Sequence, residues 1–165
     1  MSRMIAISVT AIGIAMLAPD LATAQTAKDL VGTWLNVSNI NIRQDGTKTN
    51  AFGPKGTGLA IFESNGRYML INLNPEVPKF AANNRLQGTA PENKAAIEGS
   101  IAHYGTYSYD EAKKVINLKV EGSSYPNWTG TEQPRTIMVF AGDDLKWSVA
   151  ASAGGTGEVS WKRIK

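Results

Sequence analysis

The chain contains no cysteine among its 165 residues. A disulfide, a thiolate nucleophile and a cysteine-ligated metal are therefore excluded. Histidine is almost as scarce. His103 stands alone, so a zinc site lacks its usual ligands and no metal is expected. Charge is sparse as well: charged residues make up 19% and the net charge is +3. Lysine and arginine form no run or stripe, which excludes the basic footprint of a nucleic-acid partner. Carboxylates pair only at Asp110-Glu111 and Asp143-Asp144, in turn-like surroundings where solvated pairs are the ordinary reading. There is no phosphate loop, nucleophile elbow, His-Glu-x-x-His helix or Ser/His/Asp spread, and no cofactor is expected.

The single long apolar run lies at the start. Met1-Ser2-Arg3 is short and positive, and Met4 to Ala18 follows without a charge. That run is shorter than the ~20 residues a spanning helix needs. Pro19-Asp20 breaks it, and Ala22-Thr23-Ala24 supplies small residues where a signal peptidase reads. This order of parts predicts a secretory signal peptide over residues 1–24, cleaved after Ala24. No cysteine follows, so no lipid-modified terminus and no stable membrane anchor are expected after cleavage. The alanine-rich signal suggests a bacterial protein, periplasmic or secreted. Residues 25–165 then form one domain, a monomer or dimer.

Hydrophobic residues at 42% allow a packed core, and the 16 glycines suit strands and turns. Short apolar stretches punctuated by turn residues predict eight strands: Val31 to Arg43, Gly58 to Glu63, Arg67 to Leu73, Ser100 to Tyr109, Val115 to Gly122, Arg135 to Ala141, Leu145 to Ala151 and Val159 to Ile164. Ser64-Asn65-Gly66 reads as a hairpin turn, since Asn-Gly takes positive φ readily. Gln44 to Gly58 reads as turn and loop. Pro91 to Ala96 reads as one short helix, between the third and fourth strands. Eight sequential strands of this length close on themselves, because closure removes exposed edges. The expectation is an all-β, eight-stranded, antiparallel up-and-down barrel, wide enough for one small ligand.

Three stretches carry a likeness to known proteins. They are Leu30-Val31-Gly32-Thr33-Trp34, then His103-Tyr104-Gly105-Thr106-Tyr107 with Tyr109-Asp110, then Val120-Glu121-Gly122-Ser123-Ser124-Tyr125-Pro126-Asn127-Trp128-Thr129-Gly130-Thr131 running to Arg135. Together they resemble the bacterial and fungal lipocalin-like domain family, a branch of the calycin barrels. The third stretch resembles that family's Glu-x-Ser…Pro-x-x-x-Gly-Thr…Arg signature. Family members often carry a histidine near the position of Leu118-Lys119, which this chain lacks. The resemblance implies a lipocalin-like barrel and a ligand-binding habit, and no settled substrate.

Gly32 and Trp34 open the first strand. Trp34 is either a ligand contact or a plug for one end of the barrel, with Arg163 or Lys162 of the last strand stacked on its indole. Alternation puts His103, Gly105 and Tyr107 on one strand face, where Gly105 leaves room for a ligand or a neighbouring ring. His103 is either a proton shuttle or polar anchor, or simply a hydrogen-bonded histidine. Ser123 to Arg135 is long for a hairpin loop. It brings two rings, Tyr125 and Trp128, together with Asn127 and the cation of Arg135, a mixture suited to an amphipathic ligand at the barrel mouth. Pro126 and an Arg135 bonded to backbone carbonyls would instead make it structural. Phe62 and Tyr68 are further candidate cavity residues, with Ala60, Leu70, Ile137, Val139, Leu145, Trp147 and Val149. Their opposite faces carry Leu59, Ile61, Met69, Ile71, Met138 and Phe140, so alternation leaves inside and outside undecided. The expected partner is a small hydrophobic or amphipathic molecule, carried rather than transformed. A small isomerase or cyclase using His103, Tyr107 or Arg135 and a ligand-free interaction module are the alternatives.

Overall fold

The structure is a computed structural model that describes residues 25–165; the expected signal segment Met1 to Ala24 lies outside the described residues. Its strands are β1 (Gly32–Ile42), β2 (Lys48–Asn50), β3 (Thr57–Phe62), β4 (Arg67–Leu73), β5 (Ser100–Asp110), β6 (Val115–Ser123), β7 (Glu132–Ala141), β8 (Asp144–Ala150) and β9 (Thr156–Arg163). A short helix α1 (Ala27–Leu30) precedes β1, and α2 (Ala90–Glu98) lies between β4 and β5. Every neighbouring pair is antiparallel, and β9 returns to pair with β1 from Trp34↔Arg163 to Ile42↔Thr156. The result is a closed barrel of eight strands, β1 and β3 to β9, in sequence order.

The added strand β2 lies in the stretch read as loop. It has a physical reason. β3 covers β1 only from Gly32 to Leu35, which leaves the far half of β1 with an open edge. Lys48 to Asn50 pair onto Ile40 to Ile42 and close it. With β2 counted, α2 follows the fourth strand. α2 also runs beyond the predicted Pro91 to Ala96. Thr89 caps it: Glu92 N donates to Thr89 Oγ1 at 3.5 Å, and Thr89 N donates back to Glu92 Oε2 at 2.7 Å.

The two ends of the barrel differ. At the end entered by β1, α1 lies across the opening. Trp34 is fully buried and its Nε1 donates to Leu30 O at 2.9 Å. The Arg163 guanidinium lies over the indole, 4.1 Å from its centroid, and donates to Val31 O at 2.7 Å and to Asp29 O. Gly32 takes φ +136° there, and a Cβ on it would meet Arg163 Nη1 at 2.8 Å. Positive φ and close approach both call for glycine. Lys162 instead pairs outside the barrel with Asp144 at 2.9 Å. Phe62, Leu118, Leu145 and Trp161 belong with Trp34 to one buried core. The opposite end stays open.

Candidate functional site

Inward-pointing residues line a cavity of about 470 Å³ that opens at the end where β4 finishes and β5 begins. That volume falls within the roughly 300–1,000 Å³ usual for small-molecule sites. Its wall is mostly apolar and aromatic: Leu70, Ile101, Trp128, Trp147, Val159 and Trp161. The rim is made by Phe52 after β2, by Ile97 and Glu98 of α2, by the β6–β7 connection and by the β8–β9 turn at Ala151 to Ala153.

The β6–β7 connection is rigid because its own polar groups pin it down. Ser124 N donates to Ala102 O at 2.8 Å, and Ala102 N donates back to Ser124 Oγ at 2.9 Å. Thr131 Oγ1 donates to Trp128 O at 2.7 Å, closing a 3₁₀ turn over Pro126–Trp128. Gly130, at φ +81°, then returns the chain toward β7, its N–H donating to Val120 O at 2.9 Å. Tyr125 and Trp128 are thereby held edge to face, 5.8 Å between centroids, on the cavity side.

Below them sits the polar group of the site. His103, 2% exposed, meets Tyr68 Oη through Nδ1 at 2.9 Å and packs edge-on against Trp128 at 5.3 Å. The Arg135 guanidinium lies 5.7 Å from the Trp128 centroid. Arg135 is 2% exposed, and its one hydrogen bond among the described residues goes to the adjacent Pro134 O at 3.3 Å. No carboxylate pairs with it among the described residues. Burial pulls the guanidinium pKa down to about 10, which still leaves it charged at neutral pH. Burial first, and the neighbouring Arg135 second, push His103 down to about 3. Burial likewise raises the Tyr68 hydroxyl well above its usual range. The site thus holds one permanent cation, one neutral imidazole and one neutral phenol. When Tyr68 donates to Nδ1, the imidazole proton sits on Nε2 and faces the cavity as a donor.

Unfolded histidine takes up a proton near pH 6.5, whereas buried His103 resists it down to about 3. The unfolded state therefore binds more protons between those values, and stability falls as pH drops through that window. Because His103 is the only histidine, its ring resonances report directly. We expect them to stay those of neutral imidazole at pH 5, read by NMR titration; a midpoint near 6.5 would contradict the burial.

Of the sequence-predicted residues, His103, Tyr125, Trp128 and Arg135 line the cavity. Tyr68 stands behind His103. Phe62 and Tyr107 pack edge-on at 5.0 Å in the layers toward the closed end, where Tyr107 Oη donates to Glu63 O at 2.9 Å. Asn127 is exposed on the outer side of its turn. Room at Gly105 is taken by the backbone: at a bulge between β5 and β6, a Cβ there would collide with Lys119 O. Asn72 and Trp161 line the cavity without having been singled out. The two-residue period was the available signal, since Asn72 shares a face with Tyr68 and Leu70, and Trp161 with Val159.

The model of the family described as "Lipocalin-like domain" matches residues 31–164. The chain is similar to a 4'-hydroxy-3'-methoxypropiophenone carrier protein of Aspergillus oryzae, 32% identical over 83 residues that cover 46% of this chain and 73% of that protein. It is also similar to two solved structures. A redesigned β-barrel is 14% identical with a TM-score of 0.45, covering 87% of this chain and 99% of that one. A de novo designed fluorescence-activating β-barrel is 13% identical with a TM-score of 0.42, covering 84% and 96%.

Proposed function

Given that this chain belongs to the lipocalin-like domain family, we propose that it is an exported carrier for a small amphipathic molecule, apolar over most of its surface with one anionic or carbonyl oxygen. The observation that carries this is Arg135. A buried cation without a paired counter-charge is costly, and this one sits in the wall of a mostly apolar cavity. A ligand carboxylate or carbonyl arriving there would accept charge-assisted hydrogen bonds in a shielded setting, where they are strongest. Around that oxygen, Trp128 and Trp147 offer flat apolar surface to the rest of the molecule.

Two further observations support binding over the alternatives. An interaction module needs no cavity, whereas this barrel has one of about 470 Å³. Proton-transfer chemistry needs a group with a pKa near the working pH, and His103 at about 3 is a weak base there. The Aspergillus relative is named for a carrier role, which agrees with this reading.

Export has its own test. Protein taken from the periplasm or medium of its host should begin at Gln25, read by N-terminal sequencing; an intact Met1 in that fraction would refute cleavage. For the carrier role, native mass spectrometry of the same material should find the barrel holding a small molecule. Ligand saturation at 100 times Kd should raise stability by about 2.7 kcal/mol. Protein that comes ligand-free and gains no thermal stability from any amphipathic acid would overturn the proposal.

A further inference from the structure

β3, β4 and β5 each have a paired strand on both sides, so a partner cannot add a strand there and can meet them only face on. Their outward face is apolar. Alternation turns Ala60, Phe62, Tyr68 and Leu70 inward and leaves Leu59, Ile61, Met69 and Ile71 outside. Register then lines the outward side chains up in two rows. Leu35, Leu59, Ile71 and Ala102 are successive cross-strand partners from β1 to β5, and Thr33, Ile61, Met69 and Tyr104 form the row beside them. Ile164, whose N–H donates to Thr33 O at 2.8 Å, extends the second row toward the end of the chain.

The far side of this face is widened by one aromatic ring. Tyr104 pairs with Gly122 across β5 and β6, and a Cβ on Gly122 would meet the Tyr104 ring at 2.5 Å. The bare glycine therefore lets the ring lie across β6. Leu35, Met69, Tyr104 and Ile164 are each close to half exposed. With their neighbours they present on the order of 500 Å² of apolar surface, the upper end of what a monomer shows to solvent. A standard interface of about 800 Å² per partner, about 65% apolar in a homodimer, needs that much.

We propose that this face is the contact between two copies of the chain, packed side by side about a two-fold axis. A two-fold contact sets one patch against itself, so the patch must not repel its own image. The two rows contain no charged side chain. The charges that border them come as neutral pairs. Lys162, the cross-strand partner of Leu35, holds Asp144 at 2.9 Å on the β9 side. Arg67 holds Glu121 at 2.8 Å beside Tyr104 on the β6 side. Each edge thus offers one cation and one anion to the opposite edge of a second copy. That balance suits an identical partner, whereas an anionic membrane surface calls for an excess of cations around the apolar patch. The contact runs along the side of the barrel and is independent of the ligand reading.

Sedimentation velocity of the chain as its host processes it, from about 1 to 100 μM, tests this. Wild type should move as a dimer at the upper end of that range. Met69→Lys puts a charge in the middle of the face and, through the two-fold, does so twice; the dimer Kd should rise at least about a hundredfold. Met69→Thr is a milder change that an exposed strand position accepts, and it should raise the Kd about tenfold; it decides the matter if the lysine variant fails to fold. Met138→Lys is the control. Met138 is as exposed as Met69 but lies on β7, four strands from β3 in either direction around the barrel, and its change should leave the dimer intact. A wild type that stays monomeric at about 100 μM overturns the proposal. A dimer that folded Met69 variants leave unweakened, or that Met138→Lys weakens as much as Met69→Lys does, overturns the choice of face.

Discussion

Trp34→Ala should cost about 3–5 kcal/mol of folding stability, the range for truncating a buried large aromatic. Three losses add up at this site. The indole is 0% exposed, so its removal leaves a void that the strands around it cannot close. Leu30 O loses its donor at 2.9 Å. Arg163 loses the ring face it covers at 4.1 Å, an interaction worth about 1–2 kcal/mol when shielded. Its bonds to Val31 O and Asp29 O then tie down the segment before β1 with nothing beneath it. Urea titration measures the outcome directly. A loss below about 1 kcal/mol accompanied by lost ligand binding would make Trp34 a cavity residue and the closed end a misreading. The contrast is Trp128→Ala, which removes a half-buried ring at the mouth and should cost clearly less stability while weakening binding.

Arg135→Met should do the reverse, sparing the fold and impairing the site. Two outcomes were open from the sequence: an arginine bonded inside the barrel, or one awaiting an anion. The structure supplies it with a single backbone acceptor at 3.3 Å and no carboxylate among the described residues. Replacing an uncompensated buried cation with an apolar chain of similar length is neutral or stabilising. The melting temperature should therefore hold or rise. Binding of cinnamate should weaken by about 1.5–3 kcal/mol, the range for hydrogen bonds to a charged group, or roughly 10–150-fold in Kd. Wild-type affinity for a fully ionised acid should stay flat from pH 6 to 9, because His103 titrates near 3 and Arg135 near 10. A stable Arg135→Met protein that binds cinnamate as well as wild type would remove the central reason for placing the site here.

The barrel itself was legible in the chain, because strand and turn signals are local. Ser64-Asn65-Gly66 takes the hairpin it suggested, with Gly66 at φ +81°, and Thr89 with Glu92 starts α2 by a contact three residues long. The segment from Ser123 to Arg135 also showed its chemistry in advance, since two rings and a cation within one connection are visible as composition. What local signals could not supply was the direction of each strand face. Leu59, Met69 and Tyr104 are 36%, 51% and 50% exposed on the outside of the barrel. An apolar outer face hides the alternation that would otherwise separate inside from outside.

Residue identity along the chain therefore determined the number of long strands and their order, each set by contacts between near neighbours. Tertiary structure decided what closure brings together across the barrel. It decided that Tyr68 backs His103 through a bond spanning 35 positions, and that Phe62 and Tyr107 pack toward the plugged end. It left the Arg135 guanidinium with a single backbone acceptor among the described residues. None of these pairings has a sequence signature, because strands distant in the chain meet only once the sheet has curled and closed.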